Sequence, residues 1–229
     1  MKSVQSKQQK TLSRAVILSL DSIVLAGELE IPGGATGVVM FAHGSGSSRL
    51  SPRNRYVAQV IREAGVGTLL FDLLTPEEEQ VDQQTRHLRF NIPLLAGRLV
   101  AATEWVQRQP DIGHLCVGYF GASTGGGAAL IAAATLSGKV GAVVSRGGRP
   151  DLAGDFLPQV LAPTLLIVGD QDDLAVRLNK EAFGQLQCTK ELKIVPGTTR
   201  QYEKLEAQEE VSRLAADWFL HHLCEVADC

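Results

Sequence analysis

Ser123 stands in Gly121-Ala122-Ser123-Thr124-Gly125, a G-x-S-x-G pattern. A serine on a sharp strand-to-helix bend is exposed for attack, and the helix that follows points backbone N–H groups at developing negative charge. That chemistry is acyl transfer through an activated hydroxyl. The pattern alone is weak in a chain with 23 glycines among 229 residues, so its flanks decide. Before it, Leu115-Cys116-Val117-Gly118-Tyr119-Phe120 is short and apolar, as a strand covered on both faces should be. After it, Gly126-Gly127-Ala128-Ala129-Leu130-Ile131-Ala132-Ala133-Ala134 is rich in helix formers. Gly121 and Gly125 leave room for the cramped turn.

A serine nucleophile needs a base to take its proton and an acid to orient that base. On a bend of this type the acid and then the histidine follow the serine in chain order. The apolar run Thr164-Leu165-Leu166-Ile167-Val168 ends in Gly169-Asp170-Gln171-Asp172-Asp173. Asp172 fits the acid's spacing, with Asp170 and Asp173 as neighbouring competitors.

Alternating strand and helix patterns must position these residues, and they predict an α/β fold. The sheet is mostly parallel and twisted, of about eight strands, with helices on both faces. Strand patterns cover residues 14–20, 23–31, 37–42, 67–73, 115–120, 140–145, 163–168 and 191–195. The Asp21-Ser22 connection is short enough to make the first two an antiparallel hairpin at the N-terminal start of the sheet. Helix patterns cover residues 53–64, 92–107, 126–134, 178–186 and 206–223. The polar stretch 75–91 reads as partial helix or as a mobile lid. Residues 1–12 are expected to be a flexible tail before a single domain at 13–229. Ligands of open α/β sheets bind beyond the carboxyl ends of the strands.

A formal net charge of −3 supplies no global basic field for nucleic acid or anionic membrane. The polar first ten residues carry no apolar secretion signal, and no run reaches the length of a membrane span. The four cysteines lack metal or redox spacing, which predicts reduced thiols, a cytoplasmic protein, and no metal or cofactor. Oligomeric state is not legible from the sequence.

Several ordered motifs together resemble the dienelactone hydrolase-like branch of the α/β-hydrolases, from about residue 16 onward. They are Phe41-Ala42-His43-Gly44-Ser45-Gly46-Ser47-Ser48-Arg49, Phe71-Asp72-Leu73-Leu74-Thr75, the Ser123 turn, Val168-Gly169 to Asp172 with Leu178-Asn179, and Val195-Pro196-Gly197-Thr198-Thr199. The resemblance implies an α/β-hydrolase fold and a small-molecule ester or lactone substrate. It also implies backbone oxyanion donors at Ser45 or Gly46 together with Thr124. The namesake enzymes use a cysteine nucleophile, so a serine here resembles the wider esterase-like membership.

One departure stands out. Where relatives place the base, in a pattern like G-A-T-H, this chain reads Gly197-Thr198-Thr199-Arg200. Guanidinium stays protonated at physiological pH and accepts no serine proton. Of the remaining histidines, His221 and His222 lie at the far end of the last helix and His114 at the wrong sheet edge. His43 belongs to the oxyanion loop, and His87 is the one candidate substitute. The chain therefore reads either as a weak ester or lactone hydrolase or as an inactive relative that binds an anionic small molecule or a protein partner. Arg49, Arg146 and Arg149, with Arg200, could line a pocket for a carboxylate ligand, with His43 beside them. The plainer alternative pairs these arginines internally with Glu77, Glu78, Glu79 and Asp172. The loop at residues 43–47 has no Walker lysine and no G-x-G-x-x-G, so nucleotide binding is not expected.

Overall fold

The computed structural model describes residues 11–20, 22–199 and 202–223. Its centre is one eight-stranded sheet in the order β1-β2-β4-β3-β5-β6-β7-β8. The strands are β1 (Leu12–Leu20), β2 (Ile23–Ile31), β3 (Gly37–Ala42), β4 (Gly67–Phe71), β5 (Cys116–Ala122), β6 (Val140–Arg146), β7 (Thr164–Gly169) and β8 (Lys190–Val195). β1 and β2 form the expected hairpin, and β2 runs antiparallel to β4. Every later pairing is parallel. Leu12, expected in the tail, is already the first residue of β1, where it pairs with Ile31.

Period-two alternation splits the strands between two cores. Val38 and Met40 face one side of the sheet, Val39 and Phe41 the other. The first side packs under α3 (Ile92–Gln107), α4 (Thr124–Thr135) and α5 (Asp173–Gln185). The second packs under α1 (Pro52–Glu63) and α6 (Leu205–His222). Burial on both faces is why the parallel strands read as continuous apolar runs.

Residues 75–91 are folded. α2 (Pro76–Thr85) starts with a capping box between Thr75 and Glu78 and ends at Arg86 in the left-handed region, φ 58°. A 3-10 turn, Leu88–Phe90, follows. Asp82 ties the two together, accepting from the backbone N–H groups of Leu88 (2.8 Å) and Arg89 (3.0 Å) and pairing with the Arg89 guanidinium. A second 3-10 segment, Pro150–Gln159, broken at Gly154, was not expected from the sequence; its prolines and glycines hide any helical period.

Strand order reverses around β3: β4 lies on one side of it and β5 on the other. The carboxyl ends of β3 and β5 open into the crevice that this reversal creates. The Ser123 turn and the loop at residues 43–49 both leave from there.

Candidate functional site around Ser123

Ser123 is the cap residue between β5 and α4, held at φ 52° and ψ −123°. L-residues avoid that region, and it is where a strained nucleophile turn would hold its serine. Close packing explains the flanking glycines. A Cβ at Gly121 would stand 2.6 Å from the Gly125 carbonyl oxygen, and one at Gly125 would collide with the Ala42 carbonyl. A Cβ at Gly44 would lie 2.9 Å from the Ser123 Cβ, so the β3 loop leans directly on the serine.

The serine lies on a cavity of about 420 Å³, lined also by Ser45, Thr124, Arg146 and Arg149. Thr124, the first residue of α4, carries the helix's leading N–H. The Ser45 N–H donates to Thr124 Oγ1 at 3.1 Å. Gly46 does not join them: it lines a neighbouring cavity of about 500 Å³ with His43, Arg49 and Asp72.

His43 is buried, and both of its ring nitrogens are engaged. Nε2 accepts from the Leu73 N–H at 3.1 Å, which leaves the proton on Nδ1, 3.2 Å from the Gly44 carbonyl. Burial lowers its pKa from the ordinary value, against small opposing effects from Gly44, Asp72 and Glu79. It is a neutral staple between loops. His87 is exposed against Thr85 at 2.7 Å, His114 is exposed before β5, and His222 stacks on Trp218 at the end of α6. Among the described residues, no imidazole lines the Ser123 cavity.

Asp172 caps α5, accepting from the Ala175 N–H at 3.0 Å, and Asp170 accepts from the Thr198 N–H at 3.3 Å. Arg200, at the expected base position, lies outside the described residues. Its immediate frame is described: a Cβ at Gly169 would collide with the Thr198 carbonyl, so the last loop packs tightly on the end of β7.

The arginines divide in a way that spacing could not reveal. Arg49 pairs with Asp72 and turns away from Ser123. Arg149 lines the serine cavity but is held by Asp151 through two contacts of 2.8 and 2.7 Å. Of the acids expected as partners, Glu78 binds Arg98 instead. Arg146 ends β6, is 9% exposed, and makes no ion pair among the described residues. The sequence reading missed Ser51, Arg53, Asn54 and Phe90, all of which line the cavity. The helix pattern from residue 53 marks α1, but not that its first turn lines the Ser123 cavity.

No family model matches the chain. The crystal structure of a dienelactone hydrolase from Anabaena variabilis superposes with a TM-score of 0.91 at 58% identity, covering 93% of this chain and 99% of that one. Est1E from Butyrivibrio proteoclasticus shares the fold, with a TM-score of 0.71 at 16% identity over 90% of this chain and 98% of its own. Among curated proteins, two from Mycobacterium tuberculosis strains, provisionally named phosphoribosyl transferases, are 55% identical over 202 residues. That match covers 88% of this chain but 45% of theirs, so the chain spans less than half the length of these curated relatives. No helix among the described residues is long and apolar enough to cross a membrane. With eight strands in hydrolase order and a near-full-length relative at 58% identity, the chain belongs to the dienelactone hydrolase-like branch of the α/β-hydrolases.

Proposed function

We propose that this protein hydrolyses small carboxylic esters or lactones, with Ser123 as the nucleophile. The supporting observation is the strained Ser123 backbone on a cavity that also receives the start of α4. The Anabaena relative's name points to the same reaction class. The phosphoribosyl transferase names of the Mycobacterium relatives are not carried over, because this chain spans 45% of their length and the residues at its site suit acyl transfer.

In this mechanism the substrate carbonyl lies over Ser123 Oγ, and its oxygen turns toward the Thr124 N–H. The Ser45 N–H joins it on leaving Thr124 Oγ1. Asp172 remains the acid on the β7 side. Arg200 stands in the sequence where relatives carry the base and takes no proton. The Ser123 proton therefore passes to solvent water, the alcohol leaves protonated from solvent, a second water releases the acyl group as the acid, and turnover is slow. Site preorganisation alone sustains roughly 10³–10⁴ over the uncatalysed reaction. A second reading, binding of a carboxylate or similar anion without turnover, draws on the engagement of both His43 ring nitrogens.

The test compares wild type, Ser123→Ala and Arg200→His on p-nitrophenyl esters and small lactones. The expected result is slow wild-type turnover, lost in Ser123→Ala and raised in Arg200→His. Turnover indifferent to Ser123→Ala would overturn the assignment. Its absence from both wild type and Arg200→His would favour binding alone.

A further inference from the structure

Arg146 is a buried cation without a counter-ion among the described residues. Every other arginine that the sequence reading placed near the site, and that is described, meets a carboxylate: Arg49 meets Asp72, and Arg149 meets Asp151. Arg146 meets the rings of Phe120 and Tyr202, 5.9 and 5.7 Å from its guanidinium carbon. Its one polar contact is long, Nη2 donating to Asn54 Oδ1 at 3.5 Å. Its Nε is buried with no hydrogen-bond partner among the described residues. Taking a guanidinium out of water with so few partners is unfavourable unless an anion completes the site.

The opposite wall of the cavity points the same way. Ser51, Arg53 and Asn54 form the start of α1, and its first turn carries no acidic residue. Ser51 Oγ accepts the Asn54 N–H at 3.4 Å, and no carboxylate of the first turn offsets the positive end of the helix dipole. Burial, the largest effect, lowers the pKa of Arg146, Tyr202 opposes it, and the Arg53 charge adds a smaller lowering; the result is about 10. Arg146 thus stays charged at neutral pH. The Arg146 guanidinium and the backbone N–H groups at the start of α1 approach the cavity from different sides, more donors than the two coplanar oxygens of a carboxylate reach at once. A dianion with three acceptor oxygens matches them better.

We propose that the cavity beside Ser123 holds a phosphoryl group between Arg146 and the start of α1, so that its substrates are esters or lactones bearing a phosphate monoester. This rests on the hydrolase reading of Ser123 only for the word substrate; the phosphoryl site stands or falls separately.

Binding is measured by calorimetry and melting shift, with inorganic phosphate, phosphoglycolate and glycolate as probes. Wild type should bind phosphoglycolate at least about tenfold tighter than glycolate, the effect of one or two charged hydrogen bonds. Arg146→Met should remove that preference. Asn54→Asp gives an independent check, because it places a carboxylate beside Arg146 at a helix position that tolerates acid. It should raise the melting temperature and abolish the phosphate-induced shift. No phosphate response in wild type, or an unchanged response in Asn54→Asp, would overturn the proposal. Equal binding of glycolate and phosphoglycolate would replace the phosphoryl site with a carboxylate site. Phosphate binding without ester turnover would sink the hydrolase reading alone, and turnover without phosphate binding would sink this one.

Discussion

Replacing Ser123 by glycine should stabilise the fold relative to replacing it by alanine, the reverse of the usual order. At φ 52° and ψ −123° a side chain bearing Cβ is strained by about 1–3 kcal/mol. The conformation persists because the surroundings fix it. The Ser123 carbonyl accepts from the Gly126 and Arg149 N–H groups, both at 3.0 Å, and its N–H donates to the Arg146 carbonyl at 3.4 Å. Glycine relieves the strain but enlarges the unfolded ensemble, which costs about 0.4–1 kcal/mol. The net advantage over alanine is about 1 kcal/mol, or roughly 2–4 °C in melting temperature for a chain of this size. Both variants lose the hydroxyl, so neither should turn over esters. The assay is a paired thermal melt under one buffer condition. If the glycine variant melts at or below the alanine variant, the backbone at this turn is not strained, and the nucleophile assignment loses its structural basis.

Three further outcomes follow from the same geometry. Gly125→Ala drives a methyl group into the Ala42 carbonyl, where backbone on both sides leaves no flexible relief; a loss of about 1–3 kcal/mol is expected in urea denaturation, and an unchanged midpoint would contradict it. Asp82→Ala leaves the Leu88 and Arg89 N–H groups and the Arg89 guanidinium without their shared acceptor, a loss of about 3–5 kcal/mol that should open the cavity wall; amide exchange across residues 76–90 should rise, and unaltered protection there would refute the clamp. His43 is buried neutral with a lowered pKa, so the unfolded chain binds its proton first as pH falls. Its contribution is whole above the ordinary value of about 6.5 and lost as pH drops through the lowered folded value. Melting temperature should therefore fall less steeply below pH 6.5 in His43→Gln, and parallel pH profiles would exclude this origin.

Local features were legible because their causes are local. Strand β3 is found where its apolar run lies, 37–42, and α3 where Asn91 caps it and the apolar period ends, 92–107. The Ser123 turn announced itself because close packing at 121 and 125 admits only glycine. The stretch 75–91 stayed ambiguous because its order comes from Asp82 reaching six and seven residues ahead, a contact with no periodic signature.

The sequence by itself determined the fold class, and it showed a serine in a glycine-flanked strand-to-helix turn and an arginine after Gly197-Thr198-Thr199, since each is written in residue type and short-range spacing. Only the tertiary structure decided which arginines are spent. Arg49 finds Asp72 across 23 positions, whereas Arg146 meets Asn54 across 92 and finds no acid among the described residues. Charge compensation depends on which side chains the sheet order brings together, and no local pattern encodes that distance.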